Sequence, residues 1–238
     1  MNIIGYASAP HHVELPPQKA GRRARLPTAA IALARHAIGG AELAATTAVY
    51  FGTAYGDATE TEAFVENMIL QREEFPKPRA FSASVHNAMA SRIAMALGVT
   101  GPNRTYVHAE LSFYLALRAA RHQSTALVGA LDESTPLIRA GHESCGRPLR
   151  GEGGGLLYCS ASDEGALARV VFDADADHWI GSEDHPAMPA TLAALGTAVL
   201  AGHADPETLG LPERPRRLGI RVLCRLGERR RFVLERLA

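Results

Sequence analysis

The chain is short of the features that mark a special environment. It holds three cysteines, an odd number without regular spacing, which argues against a disulfide framework and points to a reducing compartment, the cytoplasm. Neither sign of charge is in excess, and a formal net charge of +0 gives no global attraction to nucleic acid or a membrane surface. No apolar run approaches the ~18 residues that span a bilayer. The opening Met1-Asn2-Ile3-Ile4-Gly5-Tyr6 is too short for a signal peptide and soon meets His11-His12. The sequon Asn103-Arg104-Thr105 is then an accident of a turn.

Two clusters lack the residues that would give them chemistry. Asp173, Asp175, Asp177, Glu183 and Asp184 surround Trp179, but without the glycine and terminal glutamate of a calcium loop they read as a solvated loop, and no metal site is expected. The glycine-rich turn Gly151, Gly153, Gly155 has no following Lys-Ser/Thr and leads into a strand, so close backbone packing is favoured over phosphate binding.

What is present is enough apolar material to build a core: 238 residues, 47% hydrophobic, fit one large domain. Strand-like runs cover Ile3 to Ala7, Ala48 to Thr53, Arg104 to His108, Thr125 to Ala130 and Ala168 to Asp173. Between them lie helical stretches: Leu26 to Ile38, stopped by Gly39-Gly40; Thr59 to Gln71, with Thr59-x-x-Glu62 as capping box; Val85 to Leu97, stopped by Gly98; and Leu111 to Arg121. Phe64, Val65, Met68 and Ile69 recur at helical spacing. Gln18 to Arg25 reads as a basic loop and Glu73 to Pro78 as a charged connection. Interleaving of this kind predicts an α/β fold, a largely parallel sheet with helices on both faces. An Ala/Leu-rich helix over Pro189 to Ala201 and a hairpin, Gly219 to Leu226 and Arg231 to Leu237 turning at Gly227-Glu228, complete the chain.

Val49-Tyr50-Phe51-Gly52-Thr53, Ser84-Val85-His86-Asn87-Ala88, Gly101-Pro102-Asn103 and Arg150-Gly151-Glu152-Gly153-Gly154-Gly155, in that order, together resemble the β-ketoacyl synthases. Val49-Tyr50-Phe51-Gly52-Thr53 is similar to the family's early Gly-Thr strand, and Ser84-Val85-His86-Asn87-Ala88 to its Asn-Ala helix. Gly101-Pro102-Asn103, followed by a strand that ends at Glu110, resembles the signature that leads to the nucleophilic cysteine. Arg150-Gly151-Glu152-Gly153-Gly154-Gly155 is similar to the start of the last strand of the first half. The resemblance implies a thiolase-like layered α-β-α fold over residues 1–238, with residues 1–175 like the complete first half and 176–238 an abbreviated remainder. Phe232-Val233-Leu234-Glu235-Arg236-Leu237 resembles the closing strand.

At the tip where that family places sulfur, this chain has Glu110. A helix N-terminus stabilises a carboxylate as it does a thiolate, but a carboxylate does not form the thioester. Cys145 lies in a polar loop, Cys159 in an apolar strand and Cys224 in the C-terminal strand; none sits on a strand-turn-helix elbow. The family's two second-half histidines are not recognisable, since His178, His185 and His203 lack the glycine surroundings. No catalytic residue is therefore expected.

Among relatives of the synthases, the chain resembles the chain-length factors of iterative polyketide systems, in particular small forms associated with aryl polyene pathways. That resemblance implies a heterodimer with an active β-ketoacyl synthase in which this subunit bounds the acyl tunnel, no cofactor of its own, and phosphopantetheine arriving on an acyl carrier protein. Those factors usually carry glutamine at the elbow, so Glu110 departs from their pattern. By approximate register the tunnel-lining helix is Thr59 to Gln71, which makes Thr61, Phe64, Val65 and Met68 gate candidates, with core packing as the plainer alternative. Phe113 and Tyr114 would fill the vacated acyl site or cross the interface. The arginine-rich hairpin offers Arg217, Arg229 and Arg230 as carrier-docking candidates, against a charged edge that resists aggregation. Exposed apolar surface is expected where the missing part would pack. A malonyl-carrier-protein decarboxylase and a carrier-protein or acyl-chain binding module remain as alternatives.

Overall fold

A computed structural model describes residues 1–16, 25–75, 78–146, 152–181, 188–223 and 229–237. Gly151, Glu183, Asp184, His185, Cys224, the hairpin turn Gly227-Glu228 and all but the last residue of the basic loop lie outside them. The described elements are β1 (Asn2–Ala9), α1 (Arg25–Ile38), β2 (Ala48–Gly52), α2 (Ala58–Leu70), α3 (Pro78–Ser84), α4 (Ala88–Leu97), β3 (Asn103–Tyr106), α5 (Ser112–Ala120), β4 (Thr125–Asp132), α6 (Pro136–Ser144), β5 (Gly153–Ser160), β6 (Ala168–Phe172), β7 (His178–Gly181), α7 (Pro189–Ala201), β8 (Arg217–Leu223) and β9 (Arg229–Glu235).

All strands join one nine-stranded sheet in the order β3-β2-β4-β5-β1-β6-β9-β8-β7. Period-two alternation assigns its two faces. Val49, Phe51, Leu127, Leu131 and Leu156 turn toward α1 and α4, where Leu26, Leu33, Met89 and Ile93 meet them. Their neighbours Tyr50, Val128 and Leu157 turn the other way, onto α5 and α7. The sheet folds back so that Leu218, Ile220, Phe232 and Leu234 of the C-terminal strands close over those same two helices. α7 is buried from Pro189 to Leu200, which is why its sequence is apolar on every side. The layered α/β architecture with a C-terminal β8–β9 hairpin is as the family resemblance implies.

The sheet is mixed, which corrects the expectation of a largely parallel one. Parallel pairing is confined to β2–β3, β2–β4 and β7–β8; the other pairings are antiparallel. The reason lies in α6. It buries none of its residues and leaves Leu137 67% exposed, so it covers no sheet face and does not act as a crossover. β5 therefore returns beside β4, running against it.

Local details also differ. Asp57, not Thr59, caps α2, its carboxylate accepting from the Glu60 N–H at 3.3 Å. A separate helix, α3, follows the charged connection. The outer face of the C-terminal strands is charged rather than apolar. Inward Phe232 and Leu234 alternate with outward Arg231, Val233 and Glu235. Trp179 lies across Gly219, which pairs with Val233; the Arg231 guanidinium stands 5.4 Å over the indole, and Arg217 pairs with Glu235 at 2.9 Å. Among the described residues, arginine stems and one indole thus cover the outer face of these strands.

The large exposed apolar side chains lie elsewhere. Val65, Ile69 and Leu70 of α2, Phe75 in the connection that follows and Phe81 of α3 are among them; α2 and α3 pack on each other through Phe64 and Phe81, ring centroids 5.6 Å apart.

Candidate functional site

The elbow is built by three pieces of backbone brought together at the ends of parallel strands. Asn103 at the start of β3 donates from Nδ2 to Ala90 O at 3.0 Å, tying the strand to α4. Pro102 O accepts from Val49 N at 2.8 Å, which sets β3 in register beside β2. Beyond Tyr106 the chain turns sharply: Ala109 adopts φ +46, a left-handed conformation strained for a residue with a Cβ. Leu111 N then donates to His108 O at 3.0 Å and Ser112 N to Ala109 O at 3.2 Å, and α5 begins.

Ser112 fastens this turn to β2. Its Oγ accepts from His108 N at 2.8 Å and lies 2.9 Å from Thr53 O and 2.7 Å from Ala109 O, to one of which it donates. Gly52 makes the approach sterically possible: a Cβ there would stand 2.6 Å from both Phe113 N and Ser112 C. Glu110, half buried, sits at the apex just before the N-terminus of α5, where the helix dipole favours a negative charge. The elbow is thus a strained strand-turn-helix with a carboxylate at its tip.

A buried polar network behind the elbow was not legible in the sequence. Asp132, at the end of β4, accepts from Thr53 Oγ1 at 2.6 Å, Ala54 N at 2.8 Å and Tyr55 N at 3.1 Å. The next residue, Glu133, accepts from Thr59 N at 2.7 Å and pairs with Arg25 at 3.1 Å; Arg25 also reaches Glu152 at 2.5 Å. Burial, followed by the charge of Glu133, pushes the Asp57 carboxyl up to about 7. These carboxylates come from distant segments, and the one local signal was two consecutive acids closing a buried strand.

The other site candidates divide. α2 buries only Ala58 and Asn67. Core packing therefore does not explain Phe64, Val65 and Met68: Val65 is 48% exposed, and Phe64 and Met68 are half buried. Thr61 Oγ1 hydrogen bonds locally, 2.9 Å from Asp57 O and 3.2 Å from Ser84 O. Phe113 and Tyr114 turn inward, against Phe232 at 6.2 Å and Phe172 at 5.9 Å. They fill the space between the folded-over parts of the sheet and present no surface to a partner. In the glycine-rich turn, a Cβ on Gly155 would lie 2.4 Å from Ala190 O, so α7 rests directly on the backbone; Gly153 begins the same strand.

Arg217 is held by Glu235. Arg229 and Arg230 instead line a recess of about 430 Å³ with Tyr114, Asp173, Arg221 and Arg231. Cys159 is buried in β5, and burial pushes its thiol up to about 12; Cys145 is exposed after α6. Neither is near the elbow in the chain. Among the described residues no group of acids, histidines and cysteines is placed to hold a metal, and no helix is long and apolar enough to cross a membrane.

Fold and elbow together define an α/β protein of the condensing-enzyme type. The family described as "Beta-ketoacyl synthase, N-terminal domain" matches residues 14–171, well over half of the chain, and the protein belongs to that family. Solved structures agree on the fold. The ishigamide ketosynthase/chain length factor is similar at 17% identity, TM-score 0.67, over 100% of this chain and 99% of that one. A type II polyketide ketosynthase in complex with its acyl-carrier protein, AntDE:AntF, is similar at 13% identity and TM-score 0.70, over 89% and 84%. A β-ketoacyl synthase from Burkholderia phymatum STM815 is similar at 12% identity and TM-score 0.68, over 95% and 86%. No curated protein matches the sequence.

Proposed function

We propose that this chain is a noncatalytic chain-length factor that pairs with an active β-ketoacyl synthase and bounds its acyl tunnel in a type II polyketide pathway of the aryl polyene kind. The observation that carries the reading is Glu110 at the apex of an intact strained elbow. The scaffold that would activate a nucleophile is retained, yet the residue at its tip cannot hold an acyl group as a thioester.

The apolar surface of α2 and α3 supports a partner. Val65 at 48%, Ile69 at 71%, Leu70 at 70% and Phe81 at 56% exposure form a concentration of apolar area that monomers rarely leave in water. β3 supports it too, because it is the terminal strand of the sheet and its outer backbone groups need covering. The ishigamide ketosynthase/chain length factor shares the fold at 17% identity. In this reading Thr61, Phe64, Val65 and Met68 stand at the interface, and bulk there stops elongation of a rigid apolar chain when the next unit no longer fits. Substrate arrives on the phosphopantetheine arm of an acyl carrier protein, and the subunit carries no cofactor of its own.

Coexpression with a full-length type II ketosynthase is the test. The two are expected to copurify, with labelled acyl groups trapped on the synthase and none on this chain. A stable lone chain that ignores the synthase, or label on any of its side chains, rejects the proposal.

A further inference from the structure

Four of the chain's ten histidines, His11, His12, His36 and His203, gather at the open edge of β1, which neither the elbow nor the proposed partner surface involves. β5 runs along one side of β1 as far as Ala9, whereas β6 pairs with the other side only at Asn2 and Ile3. At Ser8 the chain covers that second side itself. His12 N and Val13 N donate to Ser8 O at 2.7 and 3.3 Å, Ser8 N donates to His12 Nδ1 at 3.2 Å, and Ser8 Oγ lies 3.0 Å from the same ring nitrogen. A backbone N–H only donates, so Nδ1 is the bare, accepting nitrogen of a neutral ring; imidazolium carries hydrogen on both nitrogens and cannot make this bond. Ser8 is 0% exposed, so loss of the acceptor strands its N–H until the covering segment moves and admits water.

The surroundings oppose a charge on His12. The His36 ring, from the last turn of α1, meets it edge-on with centroids 4.9 Å apart, and His11 is the preceding residue. Tyr6 of β1 packs at 5.5 Å, its hydroxyl 3.0 Å from Nδ1 of His203, which follows α7; burial pushes the Tyr6 hydroxyl up, so it stays neutral. Among the described residues no carboxylate pairs with these four histidines. Burial, and then the charges of His36 and His11, hold His12 below its ordinary 6.5. His11 and His36 are exposed, so protons reach the cluster directly from solvent. The far end of the covering segment is fastened separately, by Leu15 against the α1 cluster and by Pro16 O, which accepts from Arg25 Nε.

We propose that His12 is a proton-operated latch: its neutral ring holds Pro10 to Val13 over the edge of β1, and protonation releases that segment locally. Folded His12 takes up its proton at lower pH than it does in the unfolded chain, so the latch is closed above about 6.5 and opens as pH falls through the depressed folded value. The inference is independent of the pairing proposed above, since every group belongs to this chain.

Amide hydrogen exchange of the full chain, followed by NMR and expressed as protection relative to the intrinsic rate at each pH, tests it. From about pH 8 to about pH 5 the Ser8 N–H is expected to lose at least about tenfold in protection, while Val128, buried in β4, keeps its own. The His12 ring resonances should titrate with the same midpoint as that loss. His12→Asn offers a carboxamide oxygen in place of Nδ1 and does not titrate, so Ser8 should stay protected at both pH values; His12→Ala, with no acceptor, should leave Ser8 unprotected at both. His36→Gln removes a positive neighbour and should move the midpoint to higher pH. Undiminished protection of Ser8 in the parent at about pH 5, an equal loss in His12→Asn, a midpoint unlike that of the His12 ring, or a loss at Val128 as large as at Ser8 each overturn it. Synthase copurification is read separately, so failure of the latch leaves the subunit role standing, and the reverse holds too.

Discussion

Thr53 Oγ1 donates to Asp132 Oδ1 at 2.6 Å, and both residues are buried. The bond joins the end of β2 to the end of β4, and the same carboxylate receives Ala54 N and Tyr55 N. One side chain thus receives three donors from the loop that leads from the elbow's neighbouring strand to α2.

Asp132→Ala is expected to destabilise the fold by about 2–4 kcal/mol, since it strands buried donors of which two are backbone amides. Asp132→Asn keeps the shape and some acceptor capacity, so it should cost less. Urea unfolding of the two variants measures the difference; equal stability of parent and alanine variant would refute the role.

Gly52→Ala places a methyl 2.6 Å from the first turn of α5, and the contacting atoms are backbone that cannot swing aside. A loss of about 1–3 kcal/mol is expected, read by thermal denaturation, together with weaker retention of the synthase.

Asp57 gives a pH signature. Its carboxyl, ordinarily at 3.8, is pushed up to about 7 by burial and by Glu133, so between those values the folded chain holds a proton that the unfolded chain releases. This contribution to stability is fully present below about 3.8 and lost as pH rises through about 7. Asp57→Asn mimics the protonated acid and keeps a good helix cap. Its stability relative to the parent should therefore grow as pH is raised from 5 to about 7, by up to roughly 1.4 kcal/mol per pH unit, and level off above that. Parallel curves for parent and variant would remove Asp57 as the source.

Ile69→Asp and Val65→Asp probe the apolar surface of α2. Both side chains are substantially exposed, so each substitution should change the stability of the chain by only about 0.5 kcal/mol. Each should nevertheless weaken association with the synthase at least about tenfold, because a charge is then buried unpaired in the interface. Analytical size exclusion of mixed subunits reads this. Unchanged association would place the interface elsewhere.

Met68→Trp addresses the gate. If Met68 bounds the tunnel, a larger side chain should shorten the products of the reconstituted pair, as seen by mass spectrometry, whereas an unaltered product distribution would exclude it.

The fold was largely readable because the relevant rules are local. Alternation of Val49, Phe51 and Leu127 with their neighbours, Gly98 in a left-handed helix stop at φ +68, and the Gly101-Pro102-Asn103 turn each act over a few residues. The parallel sheet was over-predicted because a helix lying between two strands in sequence does not reveal whether it packs on the sheet; α6 does not. The apolar spacing of α2 was equally visible, but periodicity cannot tell a face turned to the core from one turned to a partner.

Glu110 at the tip of a strand-turn-helix is a matter of sequence alone, since no packing can make a carboxylate into a thiol. The Ala/Leu-rich run of α7 likewise announces a helix, and the structure adds that it is buried from Pro189 to Leu200. Only the tertiary structure decided which acids share a buried network, which arginines face one recess and which are held in pairs, and that the outer C-terminal strands end in charge. Those outcomes depend on strand order and register, which bring together residues more than a hundred positions apart, such as Arg25 and Glu133.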